Sequence, residues 1–303
     1  MIKILVAGGT GFIGRNLLTK LQEEGHSIVV LTRDKERALK KLNTNIEAVQ
    51  WDDSLLLYPV KELENVEAVI NLAGASIAGG RWTKKRKELI LSSRIKTTKA
   101  IVEAISNEVL KPKVFINASA IGYYGPHDDK ELTEKDSPGN DFLAKVSKAW
   151  EEEAKKAENL GVRVAVVRIG LVLGQGGALK QMLLPYKLFL GGSIGTGKQW
   201  MSWIHVTDLV GIFNYLLKSE SLRGAVNGTA PNPVQMKEMS KHIGQVLKSP
   251  AWLTVPSFAL RLALGEMSDM LLFGQKVLPN KLAESGYQFR FPEIDGALKD
   301  ILA

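Results

Sequence analysis

Cysteine is absent from the 303 residues, which removes disulfides, thiolate nucleophiles and Cys-ligated metals at once. Histidine is scarce, and His26, His127, His205 and His242 are scattered with no metal-ligand spacing, so no metal is expected. Aromatic residues make up only 7% of the chain and do not interleave with basic ones as in RNA-binding surfaces. No apolar run approaches the roughly 18 residues that a membrane span requires. The first residues, Ile2, Lys3, Ile4, Leu5 and Val6, read directly as a strand and leave no room for a signal peptide. A metal-free cytoplasmic protein with neither a membrane nor a nucleic-acid partner is expected.

What the chain does have is ordinary globular material, 45% hydrophobic and 24% charged, which argues against disorder. A chain of this length buries roughly 75% of its unfolded surface and needs no covalent staple. The net charge is +8. Its densest contribution runs from Arg81 to Lys99, where Arg81, Lys84, Lys85, Arg86, Lys87, Arg94, Lys96 and Lys99 face only Glu88. Most of that run reads as a solvated helix face, with contact to an anionic ligand as the rival reading.

Short apolar runs alternate with helical stretches over the first two-thirds of the chain, the pattern of a parallel sheet with crossover helices. Strands are expected at Lys3–Ala7, Ser27–Thr32, Ala48–Asp52, Ala68–Leu72, Val114–Ala118 and Val162–Ile169. Helices are expected at Gly11–Glu24, Lys84–Asn107 and Phe142–Asn159, with Gly25 and Gly161 as left-handed terminators. After Gly170 glycine and proline cluster and the rhythm weakens. A helix over Asp208–Lys218 and a strand over Ala225–Gly228 follow, then helices at Gln235–Leu247, Ser257–Phe273 and Glu293–Leu302. The expected architecture is α/β: a Rossmann-type, doubly wound parallel sheet with a smaller helix-rich C-terminal substrate domain. Residues 1–172, joined by about 206–230, form the first part; residues 173–205 and 231–303 form the second.

Gly8-Gly9-Thr10-Gly11-Phe12-Ile13-Gly14 lies between the first strand and an amphipathic helix carrying Ile13, Leu17, Leu18 and Leu21. In that context the glycines read as a dinucleotide-binding turn. Gly8 allows the tight turn, Gly11 lets a pyrophosphate approach, and Gly14 permits close helix packing. Free N–H groups and the positive dipole end of the helix then meet the phosphates. The second strand ends Thr32-Arg33-Asp34. Thr32 stands where NAD sites usually carry an acid, and Arg33 is placed for a 2′-phosphate. NADP(H) is therefore the expected cofactor, while Asp34 leaves NAD(H) open.

These residues resemble the extended short-chain dehydrogenase/reductase family, the group of sugar-nucleotide epimerases and dehydratases. The resemblance runs the length of the chain, through Gly8–Gly14, Trp51-Asp52, Asn71-Leu72-Ala73-Gly74, Asn117-Ala118-Ser119-Ala120, Tyr124-Gly125, Arg168–Gly174 and Trp203–Leu209. More narrowly, it is similar to an atypical branch of epimerase family proteins, through Gly79-Gly80-Arg81-Trp82, Ser93-Arg94, Ala149-Trp150-Glu151 and Gly286–Pro292. The resemblance implies an oxidoreductase or epimerase acting on a small hydroxyl or carbonyl substrate such as a nucleotide sugar. It puts Asp52 near the adenine, Leu72, Ala73 and Gly74 beneath the cofactor, Arg168 among the cofactor positions, and Ser119 beside the nicotinamide.

One departure stands out. The family relies on Tyr-x-x-x-Lys at a helix start, the Tyr exchanging a proton as hydride moves. Here Lys148 fits the lysine, but four residues earlier stands Ala144. Three readings remain open. Tyr124, or alternatively Tyr123, takes the acid/base role with Ser119 and Lys148; Lys148, water or the substrate carries the proton; or the fold senses NADP without catalysis and regulates a partner. On the substrate side, Arg81, Lys198 and Trp200 are expected to line the pocket, although residues 191–200 equally suit a hairpin. His205 reads as packing at a helix start capped by Asp208. The stripe Phe258, Leu260, Leu262, Leu264, Met267, Met270, Leu271 and Leu272 reads as core or subunit contact. A homodimer, if formed, is expected to use that stripe or the helix around Lys84–Asn107.

Overall fold

Seven strands alternate with helices in the computed structural model, which describes residues 1–42, 46–51 and 60–302. They are β1 (Lys3–Ala7), β2 (Ser27–Thr32), β3 (Glu47–Gln50), β4 (Val66–Asn71), β5 (Val114–Ala120), β6 (Arg163–Ile169) and β7 (Gly224–Gly228). All pair in parallel, in the order β7-β6-β5-β4-β1-β2-β3. Parallel sheets of this kind are covered on both faces, and in β6 Val164, Ala165, Val166 and Val167 are all buried. Helices α1 (Phe12–Glu23) and α6 (Val206–Lys218) pack on one face. Helices α3 (Lys84–Ser106) and α4 (Phe142–Lys155) lie together on the other. The chain winds outward in one direction from β1 and in the other from β4, so a crevice opens over the carboxyl ends of these two neighbours.

Local chemistry explains where the elements begin and stop. Asp34 caps α2 (Lys35–Lys41), a helix that periodicity alone did not reveal because it is only two turns long. Asp141 accepts the Ala144 N–H and starts α4. The expected extension of α4 to Asn159 is a 3₁₀ stretch, Lys156–Leu160, closed by left-handed Gly161. The third strand starts one residue earlier than expected and ends at Gln50; Asp52 lies outside the described residues.

Beyond β6 the structure departs further from the sequence reading. Helix α5 (Gly177–Lys187) forms within the glycine-rich stretch, with Pro185 in its last turn. Residues 191–200 are no hairpin. Gly192–Ile194 pairs in parallel with Leu253–Val255, and Trp200–Met201 pairs antiparallel with Val234–Gln235. Helix α7 (Met236–Leu247) joins the terminal helix Ile294–Leu302 in a third apolar cluster around Trp203, Met239 and Leu298. The long helix expected at Ser257–Phe273 breaks at Gly265, whose φ is +61°. Its first segment, α8 (Ser257–Leu264), has no buried residue and turns Phe258 and Leu262 outward, so this part of the stripe is not core, whereas Met267 beyond the break is buried. Among the described residues no helix is long and apolar enough to cross a membrane.

Candidate active site

The crevice floor starts at the glycine turn. Gly8 has φ +80°, and a Cβ there would lie 2.7 Å from the Leu72 carbonyl carbon, so glycine alone lets the end of β1 touch the loop after β4. A Cβ on Gly14 would strike the Gly8 carbonyl oxygen. Helix α1 begins at N-cap Gly11 with no side-chain cap and no acidic residue in its first turn. The first helical N–H to find a main-chain carbonyl is that of Arg15, on Gly11 at 3.0 Å. The N–H groups of Phe12, Ile13 and Gly14 precede it at the crevice, where an anion fits. The Phe12 ring points away, against Gly174, Gly176 and Gly177, leaving only its main chain for a ligand. This cradle, small-walled and donor-rich, fits a dinucleotide pyrophosphate.

At the end of β2 the polar groups have separate tasks. The Asp34 carboxylate accepts the Arg37 N–H at 2.9 Å, and Thr32 Oγ1 closes a turn with the Asp34 main chain. Arg33 is exposed, with no side-chain hydrogen bond or ion pair among the described residues.

The floor beyond the cradle is pinned by amides. Asn71, at the end of β4, donates from Nδ2 to Asn117 Oδ1 at 2.8 Å and to Thr98 Oγ1 at 2.9 Å. Its Oδ1 accepts the Ala73 N–H at 3.1 Å, holding the Leu72-Ala73-Gly74 loop in place. Asn71 and Asn117 are register partners, so Ala73 and Ser119 lie two residues further along their neighbouring chains.

Ser119 ends in a buried ionic network. Its Oγ donates to Glu151 Oε1 at 2.8 Å, and the same carboxylate receives Arg168 Nε and Nη2 at 2.9 Å each. Arg168 Nη1 donates to the Tyr124 hydroxyl at 3.0 Å, which donates in turn to Asn227 Oδ1 at 2.7 Å. Ser119, Glu151, Arg168, Tyr124 and Asn227 are all at most 3% exposed. Desolvation works against the Arg168 charge, yet the bonds and field of Glu151 outweigh it and hold the guanidinium above its ordinary value.

These contacts change the roles expected from the sequence. Tyr124 is fully buried, and loss of solvent pushes its phenol up to about 12 despite Arg168 beside it. With its hydroxyl saturated, it is a bridge within the network and not a proton donor to the crevice. Arg168 likewise faces inward and is no cofactor ligand. Tyr123, partly exposed, stacks beneath the Arg168 guanidinium with 3.4 Å from Cζ to ring centroid. Lys148 has a 56% exposed side chain, and its amine is 3.9 Å from Glu152. The residues one and two turns before Glu151 on its own helix face are Ser147 and Leu143. Ser147 is buried, and Leu143 packs against Gly122. On this face of α4, neither a phenol nor an amine stands before Ser119.

Two of the three expected substrate residues, Arg81 and Trp200, are committed elsewhere. Arg81 donates to the carbonyl oxygens of Leu262 and Ala263, closing the carboxyl end of α8. Lys87 makes an ion pair with Glu266 in the next turn. The Trp200 indole donates to Asp129 at 2.8 Å, and Lys198 is exposed in the turn before it. His205, not Asp208, caps α6: its Nδ1 accepts the Thr207 N–H, while Asp208 accepts the main chain of Arg290 and Phe291. Glu151 and Asn227 had no role in the sequence reading. The signal for Glu151 was an acid on the buried stripe Val146, Ser147, Trp150 and Ala154.

The NAD dependent epimerase/dehydratase family model matches residues 4–227, and a domain of unknown function (DUF1731) matches residues 255–301. Epimerase family protein YfhF of Bacillus subtilis (strain 168) is 42% identical over 303 residues, covering 100% of this chain and 98% of that protein. The chloroplastic SDR39U1 homolog of Arabidopsis thaliana is 42% identical, covering 99% of this chain and 86% of that protein. Among solved structures, the human epimerase family protein SDR39U1 (isoform 2) with NADPH superposes with TM-score 0.90 at 34% identity, covering 99% of both chains. With its 3-2-1-4-5-6-7 sheet, glycine cradle and full-length relatives, this chain belongs to the NAD dependent epimerase/dehydratase family.

Proposed function

We propose that the protein is an NADP(H)-dependent oxidoreductase or epimerase-like enzyme of the extended short-chain type, acting on a small hydroxyl or carbonyl compound. The observation that carries this reading is the uncapped start of α1 behind a glycine turn at the carboxyl end of β1. Support for the phosphorylated cofactor comes from β2: Asp34 is consumed as a helix cap, whereas the exposed Arg33 fork has no partner among the described residues and suits a 2′-phosphate. The similar human protein was solved with NADPH.

A bound nicotinamide would supply hydride chemistry at the carboxyl ends of β4 and β5. The chain's own contribution is positioning. The main-chain N–H groups of Phe12, Ile13 and Gly14 would hold phosphate, and the pinned Ala73-Gly74 loop would support the ring. Ser119 spends its hydrogen on Glu151, so it presents lone pairs and accepts a hydrogen bond from the ligand. The proton that accompanies hydride transfer would then come from water or from the substrate, because Tyr124 is buried in the network and the face of α4 before Ser119 carries neither a phenol nor an amine. That same feature favours the second reading, a cofactor-sensing protein without turnover.

Calorimetric titration with NADPH, NADP, NADH and NAD tests the proposal, on the natural chain and on Arg33→Ala. We expect the phosphorylated pair to bind at least tenfold tighter, an advantage lost in the variant. Equal binding of NADH would remove the NADP assignment, and binding of none of the four would overturn the enzyme reading. Tight binding with no hydride exchange across a carbonyl panel would favour the sensor.

A further inference from the structure

Against the loop after β4 stands a cation with no countercharge among the described residues. Arg94, in the middle of α3, makes no ion pair among the described residues, although it is partly buried. Its Nη1 donates to the carbonyl oxygens of Ile90 and Ala75 at 2.8 and 3.1 Å. Nε and Nη2 have no protein acceptor among the described residues. The guanidinium carbon sits 5.0 Å from the Trp150 ring centroid, and Trp150 directly precedes the Glu151 that holds Ser119. On its other side lies Gly74, where a Cβ would come within 3.0 Å of Arg94 Cζ. The loop after β4 is thus cut back to glycine where the guanidinium lies against it, and Ser93 Oγ accepts the Ala75 N–H to hold it there. Burial pulls the group down to about 10, so it remains charged at neutral pH.

A partly buried guanidinium with no carboxylate beside it is well placed to pair with the charge of a ligand. Two free N–H directions on a planar fork match two oxygens of one anionic group. We propose that Arg94 binds an anionic group, carboxylate or phosphate, of the substrate, at the crevice beside Ser119 and the Ala73–Ala75 loop. The substrate is thereby an acid or phosphate ester bearing a hydroxyl or carbonyl, and Arg94 sets that specificity. The inference rests on the cofactor reading above, since it takes the pyrophosphate to occupy the α1 cradle and not Arg94.

The test uses full-length protein, with and without saturating NADPH, titrated with malonate and with inorganic phosphate at constant ionic strength set by chloride. Thermal stability and cofactor fluorescence are the readouts. We expect one of the two probes to raise the melting temperature of the NADPH complex. Arg94→Gln should weaken that response at least tenfold while changing NADPH affinity less than threefold. Arg94→Lys, which keeps a donor for the Ala75 carbonyl but loses the fork, should weaken it at least fivefold and serves if the glutamine variant fails to fold. An NADPH affinity reduced tenfold or more in both variants would assign Arg94 to the cofactor phosphates and overturn the proposal. Equal probe responses in natural and variant proteins, or no response to either probe, would make Arg94 a loop clamp only. If NADPH itself does not bind, the cofactor reading fails, and an Arg94-dependent malonate or phosphate response in the apo protein still supports the anion site.

Discussion

Ser119 donates its hydroxyl hydrogen to Glu151 across 2.8 Å, and both residues are buried. A carboxylate already holding Arg168 through two bonds can only accept, so the direction of the Ser119 hydrogen is fixed by the fold. With its hydrogen committed, the Ser119 hydroxyl has only lone pairs left for any other partner.

Removing the carboxylate should cost far more than removing the serine. Glu151→Leu leaves the Arg168 charge buried without its partner, and about 3–5 kcal/mol of stability should be lost. Ser119→Ala removes one hydrogen bond and should cost about 1 kcal/mol. Urea unfolding of the two variants decides this; equal losses would show that Glu151 is not the anchor of the network.

Tyr124→Phe separates bridge from catalyst. It deletes the hydroxyl joining Arg168 to Asn227, so stability should fall by about 1–3 kcal/mol. NADPH affinity should stay within twofold. Once a turnover assay exists, the pH profile of the variant should match that of the natural protein. A thousandfold loss of turnover at unchanged melting temperature would return the phenol to the acid/base role.

Gly8→Ala should abolish cofactor binding. The methyl group would press on the Leu72–Ala73 main chain at 2.7–2.9 Å, in a left-handed conformation that alanine tolerates poorly. A loss of at least 30-fold in NADPH affinity by calorimetry is expected, whereas Gly25→Ala, equally left-handed but with nothing within 4 Å, should leave affinity unchanged.

His205 ties stability to pH. Burial lowers its pKa although Asp300 and Asp208 pull upward, and Nδ1 must stay unprotonated to cap α6 through the Thr207 N–H. Because the folded value lies below the unfolded one of about 6.5, the contribution is fully present above that pH. It is lost as pH falls below about 6.5, where the unfolded chain takes up the proton first. His26, also lowered chiefly by burial, adds in the same direction. The melting temperature should drop between pH 7.5 and 5.5, and His205→Asn, which retains a capping oxygen, should flatten part of that slope. A slope identical in the variant would locate the titration elsewhere.

The latch between the loop after β4 and α8 is open to proteolysis. Arg81→Ala together with Lys87→Ala removes the contacts to Leu262, Ala263 and Glu266. Since α8 has no buried residue, these contacts hold much of it down. Cleavage within residues 256–273 should quicken at least fivefold under limited trypsin or chymotrypsin digestion. Unchanged cleavage would mean that packing around Met267 is sufficient.

The sheet and the phosphate cradle are legible in the sequence, because both are written in short-range patterns. Apolar runs such as Val164–Val167 need cover on both faces wherever they lie, and Gly8–Gly14 between strand and helix has one local use. Local signals also stop where local structure stops. The turn capped by Asp34 and the helix containing Pro185 were too short or too irregular for periodicity to report. The direction of each polar side chain, by contrast, is set by long-range packing. Ser119, Glu151, Arg168 and Asn227 come from β5, α4, β6 and β7, and Tyr124 from the turn after β5. Their hydrogen bonds span up to 103 positions, a separation at which spacing carries no information. Whether Arg81 meets a substrate or the end of α8, and whether Arg94 meets a carboxylate or none, depends on which groups folding brings within 3 Å. Burial then converts that geometry into charge balance, since an unpaired group is costly only once water is gone.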